Sequence, residues 1–205
     1  MLKIWGRTNS VNVKKALWAL EELKLRYERV DAGLQYGVVN TPEYRAMNPN
    51  GLVPTIDDDG FILWESHAIV RYLAAKHGAG SLWPTDLRAR ADADRWMDWA
   101  FTFAGVLRPV FWNLIRTAPD KRDHRLVEDG VRKAGELAAT VDAILADRPY
   151  VAGDSLTMGD IPLGCHLQLW FRLDIARPAV PRLQGWFERL CARPAYAKIV
   201  DMALS

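Results

Sequence analysis

The fold prediction depends on residues 48–78, which read NPNGLVPTIDDDGFILWESHAIVRYLAAKHG. Two short apolar runs, 53–56 and Phe61–Trp64, flank an Asp-Gly turn dipeptide, and this arrangement predicts a β-hairpin. From Glu65 onward apolar residues recur at helical spacing as far as Gly78, which is placed to end a helix. The stretch therefore predicts two antiparallel strands followed by a helix.

The residues before this stretch add a strand–helix–strand unit. Leu2–Trp5 and Tyr27–Val30 are predicted strands, and between them apolar residues recur at helical spacing, namely Val13, Leu17, Leu20 and Leu25. Pro42 is placed to open a short helix in the turn-rich segment that follows. The first 80 residues are thus predicted to form a βαβ unit, a short helix and a ββα unit.

The residues after the linker at 78–86 show no strand pattern. Helices are predicted, with proline breaks between them, at 87–117, 122–147, 157–172, 182–192 and 195–203. We therefore predict an α+β N-terminal domain at 1–80 and an all-helical C-terminal domain at 87–205. A ligand site is expected in the cleft between them.

Composition excludes several classes of function. The 205 residues carry 27 Lys and Arg against 25 Asp and Glu, a net charge of +2, so no basic tail or face suits a nucleic acid. Half of the residues are hydrophobic, yet no apolar run is long enough to cross a bilayer, so we expect a cytoplasmic protein without membrane contact. The two cysteines, Cys165 and Cys191, are predicted to be buried reduced thiols, and no metal site is predicted.

Three motifs, together with the order of the elements, carry a resemblance to a known family. They are NPNGLVPTI at 48–56, WES at 64–66 and SLTMGDI at 155–161. Over essentially its whole length the chain resembles the cytosolic glutathione transferases, in their bacterial serine-type branch (theta-like or nu-like). The resemblance implies a thioredoxin-like N-terminal domain, glutathione as co-substrate, an electrophilic small molecule as second substrate, and a homodimer.

The resemblance also implies residues that bind glutathione. The N-terminus of the helix that opens at Glu65-Ser66 would hold the γ-glutamyl carboxylate, with Glu65 taking the ammonium group. Val53 would pair through its backbone with the cysteinyl unit, and its bond to Pro54 would be cis. Relatives often have a basic residue where this chain has Leu52, so the residue that holds the glycyl carboxylate stays open among Lys14, Gln35 and Asn50.

The polar segment after the first strand is where the resemblance places the sulfur chemistry. Ser10 would hydrogen-bond the glutathione thiolate and Asn12 would support it, with Thr8 and Asn9 as rival donors. No tyrosine or cysteine lies in this segment, so neither a tyrosine-type site nor an enzyme–glutathione disulfide is expected. From the residues alone, Asn9 or Ser10 could equally cap the first helix.

The predicted helix at 87–117 carries a long apolar stripe. Most of the stripe is predicted to be core, and it consists of Trp96, Trp99, Phe103, Leu107, Val110 and Leu114. By resemblance, Phe103, Leu107 and Phe111 would line the second-substrate pocket. Arg108 could add a cation there for an anionic or nitro-bearing acceptor, and the alternative is a solvated surface arginine.

Thr157 and Asp160 are spaced as a reciprocal helix cap, with the hydroxyl accepting from the Asp160 N–H and the carboxylate from the Thr157 N–H. This motif is assigned to folding. The function predicted for the whole chain is a glutathione transferase. Two alternatives stay open: a glutathione-dependent disulfide reductase or peroxidase, and a non-catalytic glutathione-binding module.

Overall fold

The computed structural model describes residues 1–204. The N-terminal part contains a four-stranded mixed sheet with strand order β2-β1-β3-β4. Its elements are β1 (Leu2–Trp5), α1 (Val11–Glu22), β2 (Tyr27–Val30), α2 (Pro42–Met47), β3 (Thr55–Asp58), β4 (Phe61–Trp64) and α3 (Ser66–His77). β1 pairs in parallel with β2 and antiparallel with β3, which pairs antiparallel with β4. The predicted thioredoxin-like domain is confirmed.

The hairpin has the predicted turn but begins later than predicted. Asp59 and Gly60 both have a positive φ, 52° and 93°, as the two central residues of a type I′ hairpin turn require. The strand predicted at 53–56 starts at Thr55 instead. Pro54 has no N–H group to donate to a ladder, and this moves the strand start toward the C-terminus. The Val53–Pro54 bond is cis, as the resemblance implied.

Five α-helices account for most of residues 87–204. They are α4 (Leu87–Phe111), α5 (His124–Ile144), α6 (Asp160–Arg172), α7 (Pro181–Cys191) and α8 (Pro194–Ile199). A short π-helix at Trp112–Arg116 continues α4, and α4 contains Pro109. The predicted helical domain is confirmed within the described residues, while the domain boundaries at 80, 87 and 205 stay a prediction.

Several helix ends differ from the predicted ones by a few residues. α5 begins at His124 because the Asp123 carboxylate accepts from the Leu126 N–H at 3.0 Å and caps the helix there. α8 ends at Ile199 instead of 203. Pro181 and Pro194 each occupy the first helical position, one residue before the predicted starts, where a missing N–H costs nothing.

The predicted reciprocal cap at the start of α6 is only half formed. The Asp160 carboxylate accepts from the Thr157 N–H at 2.9 Å, but the Asp160 N–H donates to the Thr157 carbonyl at 3.1 Å and not to its hydroxyl. The carboxylate also accepts from the Val151 N–H at 3.1 Å and from the Trp186 indole at 2.9 Å. Asp160 therefore joins three segments of the helical domain, and burial raises the pKa of this carboxyl.

Close packing of α1 against α6 and α8 joins the two parts of the molecule. The Trp18 ring meets Tyr196 edge-on at 4.8 Å, and the Tyr196 hydroxyl donates to the Gly164 carbonyl at 3.0 Å. A side chain at Gly164 would place its Cβ 2.9 Å from the Trp18 ring, so glycine permits this approach. Glu22 and Arg193 add a two-pronged ion pair at 2.8 and 2.7 Å. These contacts fix the cleft between the sheet domain and the helices.

The two cysteines differ in their surroundings. Cys165 is completely buried on α6, and burial raises the pKa of its thiol to about 12. Cys191 is only half-buried, which corrects the prediction that both are buried. Both thiols are free. None of the helices in residues 1–204 is both long and apolar enough to cross a membrane.

Candidate functional site

A cleft of about 570 Å³ lies between the sheet domain and the helices. From the sheet domain it is lined by Arg7, Asn9, Ser10, Val11, Asn12, Lys14, Lys15, Gly33, Leu34, Val39, Asn40, Gly51, Leu52 and Val53. From the helical domain it is lined by Phe101, Ala104, Leu107, Arg108, Phe111, Trp112, Arg116, His166 and Leu169. Half of the residues of the first wall are polar or charged and the second wall is mainly apolar, as a site for a peptide and an apolar partner would require.

Ser10 lies at the N-terminus of α1 and lines the cleft. Its backbone is in the N-cap conformation and its carbonyl accepts from the Lys14 N–H at 2.9 Å, but its hydroxyl caps no N–H of the helix. The residue is only 8% exposed. The hydroxyl is thus held at the cleft wall, beside the unpaired first-turn N–H groups, and can donate to a bound anion.

Asn12 is linked to a buried lysine that the sequence pattern did not single out. The Lys15 ammonium, 1% exposed, donates to Asn12 Oδ1 and to His67 Nε2, both at 3.0 Å. Since an ammonium group only donates, Asn12 must turn its amide oxygen toward Lys15 and its NH₂ group away from it. The lysine therefore fixes which end of the amide can meet a ligand.

Burial tunes the charges of this cluster. It lowers the pKa of Lys15 to about 8 and, with the Lys15 charge, lowers the pKa of His67 to about 3. His67 is therefore neutral and accepts through Nε2, and its ring stacks on Phe101 of α4 at 4.0 Å. The cluster joins α1, α3 and α4 at the wall of the cleft, which Asn12, Lys15 and Phe101 line. None of its members except Asn12 was a predicted site residue, because a lysine on a helix is normally solvated.

Val53 lies on the cleft wall in a loop that three side chains support. Among residues 1–204, no protein group hydrogen-bonds the Val53 N–H or C=O. The loop is held by the Tyr44 hydroxyl, which donates to the Leu52 carbonyl at 2.6 Å, and by the Asn48 amide, which donates to the same carbonyl at 2.9 Å. Both groups also bond the Thr55 hydroxyl, at 2.8 and 3.0 Å. The loop thus presents a rigid, unpaired peptide edge to the cleft.

Glu65 and Ser66 lie outside the cleft lining, at the N-terminus of α3. Ser66 is buried in the first turn, and Glu65 is exposed with a φ of 72°. A left-handed conformation is costly for a residue with a side chain, so its persistence at this position is characteristic of a functional turn. Pro54 also lies outside the cleft lining, next to Val53.

The predicted residues for the glycyl carboxylate are dispersed. Leu52, 64% exposed, lines the cleft, as does Lys14, but the Lys14 ammonium donates to the Val200 carbonyl at 3.1 Å. Gln35 and Asn50 are exposed and lie outside the lining. The structure brings none of the three alternatives to an obvious carboxylate site.

The helical wall corrects one of the three predicted pocket residues. Leu107 and Phe111 line the cleft, but Phe103 is completely buried and stacks on Trp99 within the core. The turn of the helix directs Phe103 away from the cleft, so it packs the interior and does not meet a substrate. Sequence reasoning missed Phe101, Trp112 and Arg116, although Phe101 and Trp112 are large aromatic residues on the same helix and its continuation.

Within residues 1–204, no group of three or more His, Cys, Asp or Glu side chains is arranged to hold a metal ion. The chemistry available from the chain itself is hydrogen bonding and positive charge: a hydroxyl, an oriented amide, helix N-termini and several cations around one cleft.

Comparison with known proteins gives consistent matches over the whole chain. Residues 1–75 match the family model "Glutathione S-transferase, N-terminal domain", and residues 97–194 match "Glutathione S-transferase, C-terminal domain". The chain is 42% identical to glutathione S-transferase GstB of Escherichia coli (strain K12), with 100% of both chains covered. It is 31% identical to glutathione S-transferase 4 of Zea mays, with 98% of this chain and 92% of that protein covered.

A solved structure shares the same fold. The crystal structure of the theta class glutathione S-transferase from Xanthomonas axonopodis pv. citri with glutathione bound aligns with a TM-score of 0.95 at 49% identity. The alignment covers 100% of this chain and 99% of that one.

Proposed function

The chain belongs to the glutathione S-transferase family, and on that premise we propose that its cleft holds glutathione as a thiolate and directs it at an electrophile. The protein is an enzyme, a glutathione transferase. The observation that carries the mechanism is the Ser10 hydroxyl, which lies at the cleft wall and at a helix N-terminus without serving as a cap.

Glutathione would span the sheet domain. The γ-glutamyl carboxylate binds the N-terminus of α3 at Ser66, where first-turn N–H groups lack helical partners and the dipole favours an anion. Glu65 meets the ammonium group. The cysteinyl unit pairs with the open peptide edge of Val53 as an added strand, which brings its sulfur toward the start of α1.

The sulfur is activated by donors and positive charge. The Ser10 hydroxyl donates to the thiolate, and the Asn12 NH₂ group, oriented by Lys15, is a second donor. No tyrosine or cysteine lines the cleft in residues 1–204, so the chain offers neither a phenol nor a thiol for this task. The thiolate then attacks an electrophilic carbon in the apolar part of the cleft, beside Leu107 and Phe111.

Titration calorimetry with glutathione and then with an S-alkyl glutathione, together with a panel of electrophiles, tests this function. We expect binding of both ligands and turnover of at least one electrophile. Binding without turnover would favour a non-catalytic module, and turnover of disulfides alone would favour a reductase. Absence of glutathione binding would refute the proposal.

We also propose a homodimer and a cytoplasmic location. Most large apolar residues of α4 are buried within their own subunit, so the support for a dimer lies in the exposed Leu87 and Phe61 and in the family. Sedimentation at micromolar concentration that returned the mass of one chain would refute the dimer.

The proposed cytoplasmic location is supported by the two free thiols and the glutathione substrate, which suit a reducing compartment. Cell fractionation can check this location.

A further inference from the structure

His166 is a buried polar side chain at the wall of the cleft that the mechanism above does not use. It lies on α6 and lines the cleft together with Leu169, one turn further along the same helix. The residue is only 6% exposed, and its Nε2 atom has no hydrogen-bond partner within residues 1–204. A buried polar atom normally has a partner, because leaving it unpaired is costly. At the wall of a cleft, a bound ligand can supply that partner.

The helix that carries His166 packs directly on the helix that presents the sulfur site. A Cβ atom at Gly164 of α6 would lie 2.9 Å from the Trp18 ring of α1, so the two helices are in close contact. Ser10 at the start of α1 and His166 on α6 line the same cleft. An electrophile that the glutathione sulfur attacks from the α1 side therefore lies between that sulfur and the wall that contains His166.

The imidazole of His166 is uncharged. Burial lowers the pKa of His166 well below its usual range, and the positive charge of Lys15 lowers it further. A neutral imidazole has one N–H donor and one acceptor nitrogen. Attack by a thiolate moves negative charge onto the substrate, and this charge favours the tautomer and ring orientation that turn the N–H toward the substrate. His166 is thus suited to donate a hydrogen bond to an uncharged oxygen and not to bind a charged group.

The surroundings of His166 on the helical wall are mostly apolar. Ala104, Leu107 and Phe111 of α4 line the cleft with it, as does Leu169 of α6. These side chains suit an apolar substrate body, and a hydrogen bond is electrostatically stronger in such surroundings than in water. The wall therefore fits an apolar molecule with one polar oxygen.

We propose that His166 binds the second substrate by donating a hydrogen bond to a carbonyl oxygen next to the reacting carbon of an apolar electrophile. This inference rests on the proposed function. In the reaction with an α-halo ketone, the glutathione thiol gives its proton to solvent and the thiolate sulfur forms the C–S bond. The halide departs with the electron pair of the broken carbon–halogen bond. His166 keeps its proton throughout and acts as a specificity-determining residue.

The test compares two glutathione conjugates of nearly the same shape, S-phenacylglutathione and S-(2-phenylethyl)glutathione. They differ in a single carbonyl oxygen, so the ratio of their dissociation constants in titration calorimetry reports on recognition of that oxygen. We expect the parent protein to bind the phenacyl conjugate about fivefold more tightly, which is equivalent to ~1 kcal/mol. This measurement needs no variant.

The variants assign the preference to the imidazole. His166→Phe keeps an aromatic ring but has no ring nitrogen, and it should reduce the ratio to about one. His166→Leu is a second apolar replacement that should give the same result, and His166→Gln, which keeps an N–H donor, should restore part of the preference. His124→Gln is the matched control, because His124 is exposed at the start of α5 and lies outside the cleft lining. Its ratio should equal that of the parent.

Turnover gives an independent readout. With saturating glutathione, the ratio of kcat/KM for 2-bromoacetophenone to that for benzyl bromide, which has no oxygen, should fall about fivefold in His166→Phe. Any change in the pKa of the glutathione thiol cancels in this ratio. The rate with benzyl bromide should stay within about twofold of that of the parent.

Three outcomes would overturn this inference while leaving the proposed function in place. The first is equal affinity of the parent for the two conjugates, with glutathione itself bound. The second is a phenacyl preference that persists in His166→Phe, since another donor would then hold the oxygen. The third is equal weakening of glutathione and both conjugates by His166→Phe and His166→Leu, which would give His166 a structural role. Failure of glutathione to bind the parent at all would refute the proposed function itself.

Discussion

Replacing Ser10 by Ala is expected to raise the pKa of the thiol of bound glutathione by about one to two units. A free thiol with a pKa of about 8.5 is only ~3% thiolate at pH 7, and a pKa lower by two units requires about 2.7 kcal/mol of preferential stabilisation of the anion. A hydrogen bond to a charged group contributes about 1.5 to 3 kcal/mol, and a helix N-terminus about 0.3 to 1 kcal/mol. Ser10 therefore supplies the larger share, and α1 keeps its share in the variant.

The change in pKa converts directly into a change in turnover. With the pKa raised from about 6.5 to between about 7.6 and 8.3, the thiolate fraction at pH 7 falls from about three quarters to between ~20% and ~5%. Turnover should fall about 4- to 15-fold while the affinity for glutathione stays nearly unchanged. The assay is a pH titration of the ultraviolet absorbance of the bound thiolate, with kcat measured on the same samples.

The structure adds a stability criterion that separates this role from capping. An N-cap serine that bonds the helix costs about 1 kcal/mol when replaced by Ala, but the Ser10 hydroxyl makes no capping bond. Ser10→Ala should therefore unfold at nearly the same denaturant concentration as the parent. Ser10→Thr, which keeps a hydroxyl, is the control for the titration. A midpoint that stayed in place in Ser10→Ala but moved in Thr8→Ala, Asn9→Ala or Asn12→Ala would refute the assignment.

Three further predictions concern the buried polar groups. Lys15→Met frees the Asn12 amide to rotate, so the thiolate midpoint should rise by up to about one unit in the same titration. The pKa of His67 is about 6.5 in the unfolded chain and about 3 in the fold, so only the unfolded state takes up a proton as the pH falls below 6.5. The free energy of unfolding should therefore decrease, by about 2 kcal/mol at pH 5, and urea melts measure this decrease. Asp160→Ala leaves two backbone N–H groups and the Trp186 indole unpaired, which should cost about 3 kcal/mol or more in denaturant melts without weakening glutathione.

Each of these has a matched control. Lys15→Arg keeps a donor near Asn12, so its thiolate titration midpoint should stay closer to that of the parent than the midpoint of Lys15→Met does. Equal midpoints in Lys15→Met and the parent would contradict the proposal that Lys15 orients Asn12. His67→Gln should make the free energy of unfolding less dependent on pH at acid pH, and parallel curves for His67→Gln and the parent would contradict this prediction. Asp160→Asn should be milder than Ala, and a normal melt with lost glutathione affinity would contradict the folding role.

The local sequence pattern was sufficient for the order and type of the elements. The β1 and β2 bounds, the short helix opened by Pro42 and the turn at Asp59-Gly60 all depend on residues within a few positions of one another. Such short-range preferences can be seen in the chain itself. The motifs around Val53 and Ser66 pointed to the family for the same reason, because each motif is contiguous.

The tertiary structure alone decided which side chains face the cleft and which lie beneath it. α1 is covered by α3, α6 and α8 together, so Lys15 is buried under Asn12 although lysine is normally solvated. Phe103 and Leu107 lie one turn apart on α4, yet only Leu107 reaches the cleft. Burial and charge proximity arise from contacts between segments distant in sequence, and local periodicity carries no information about them.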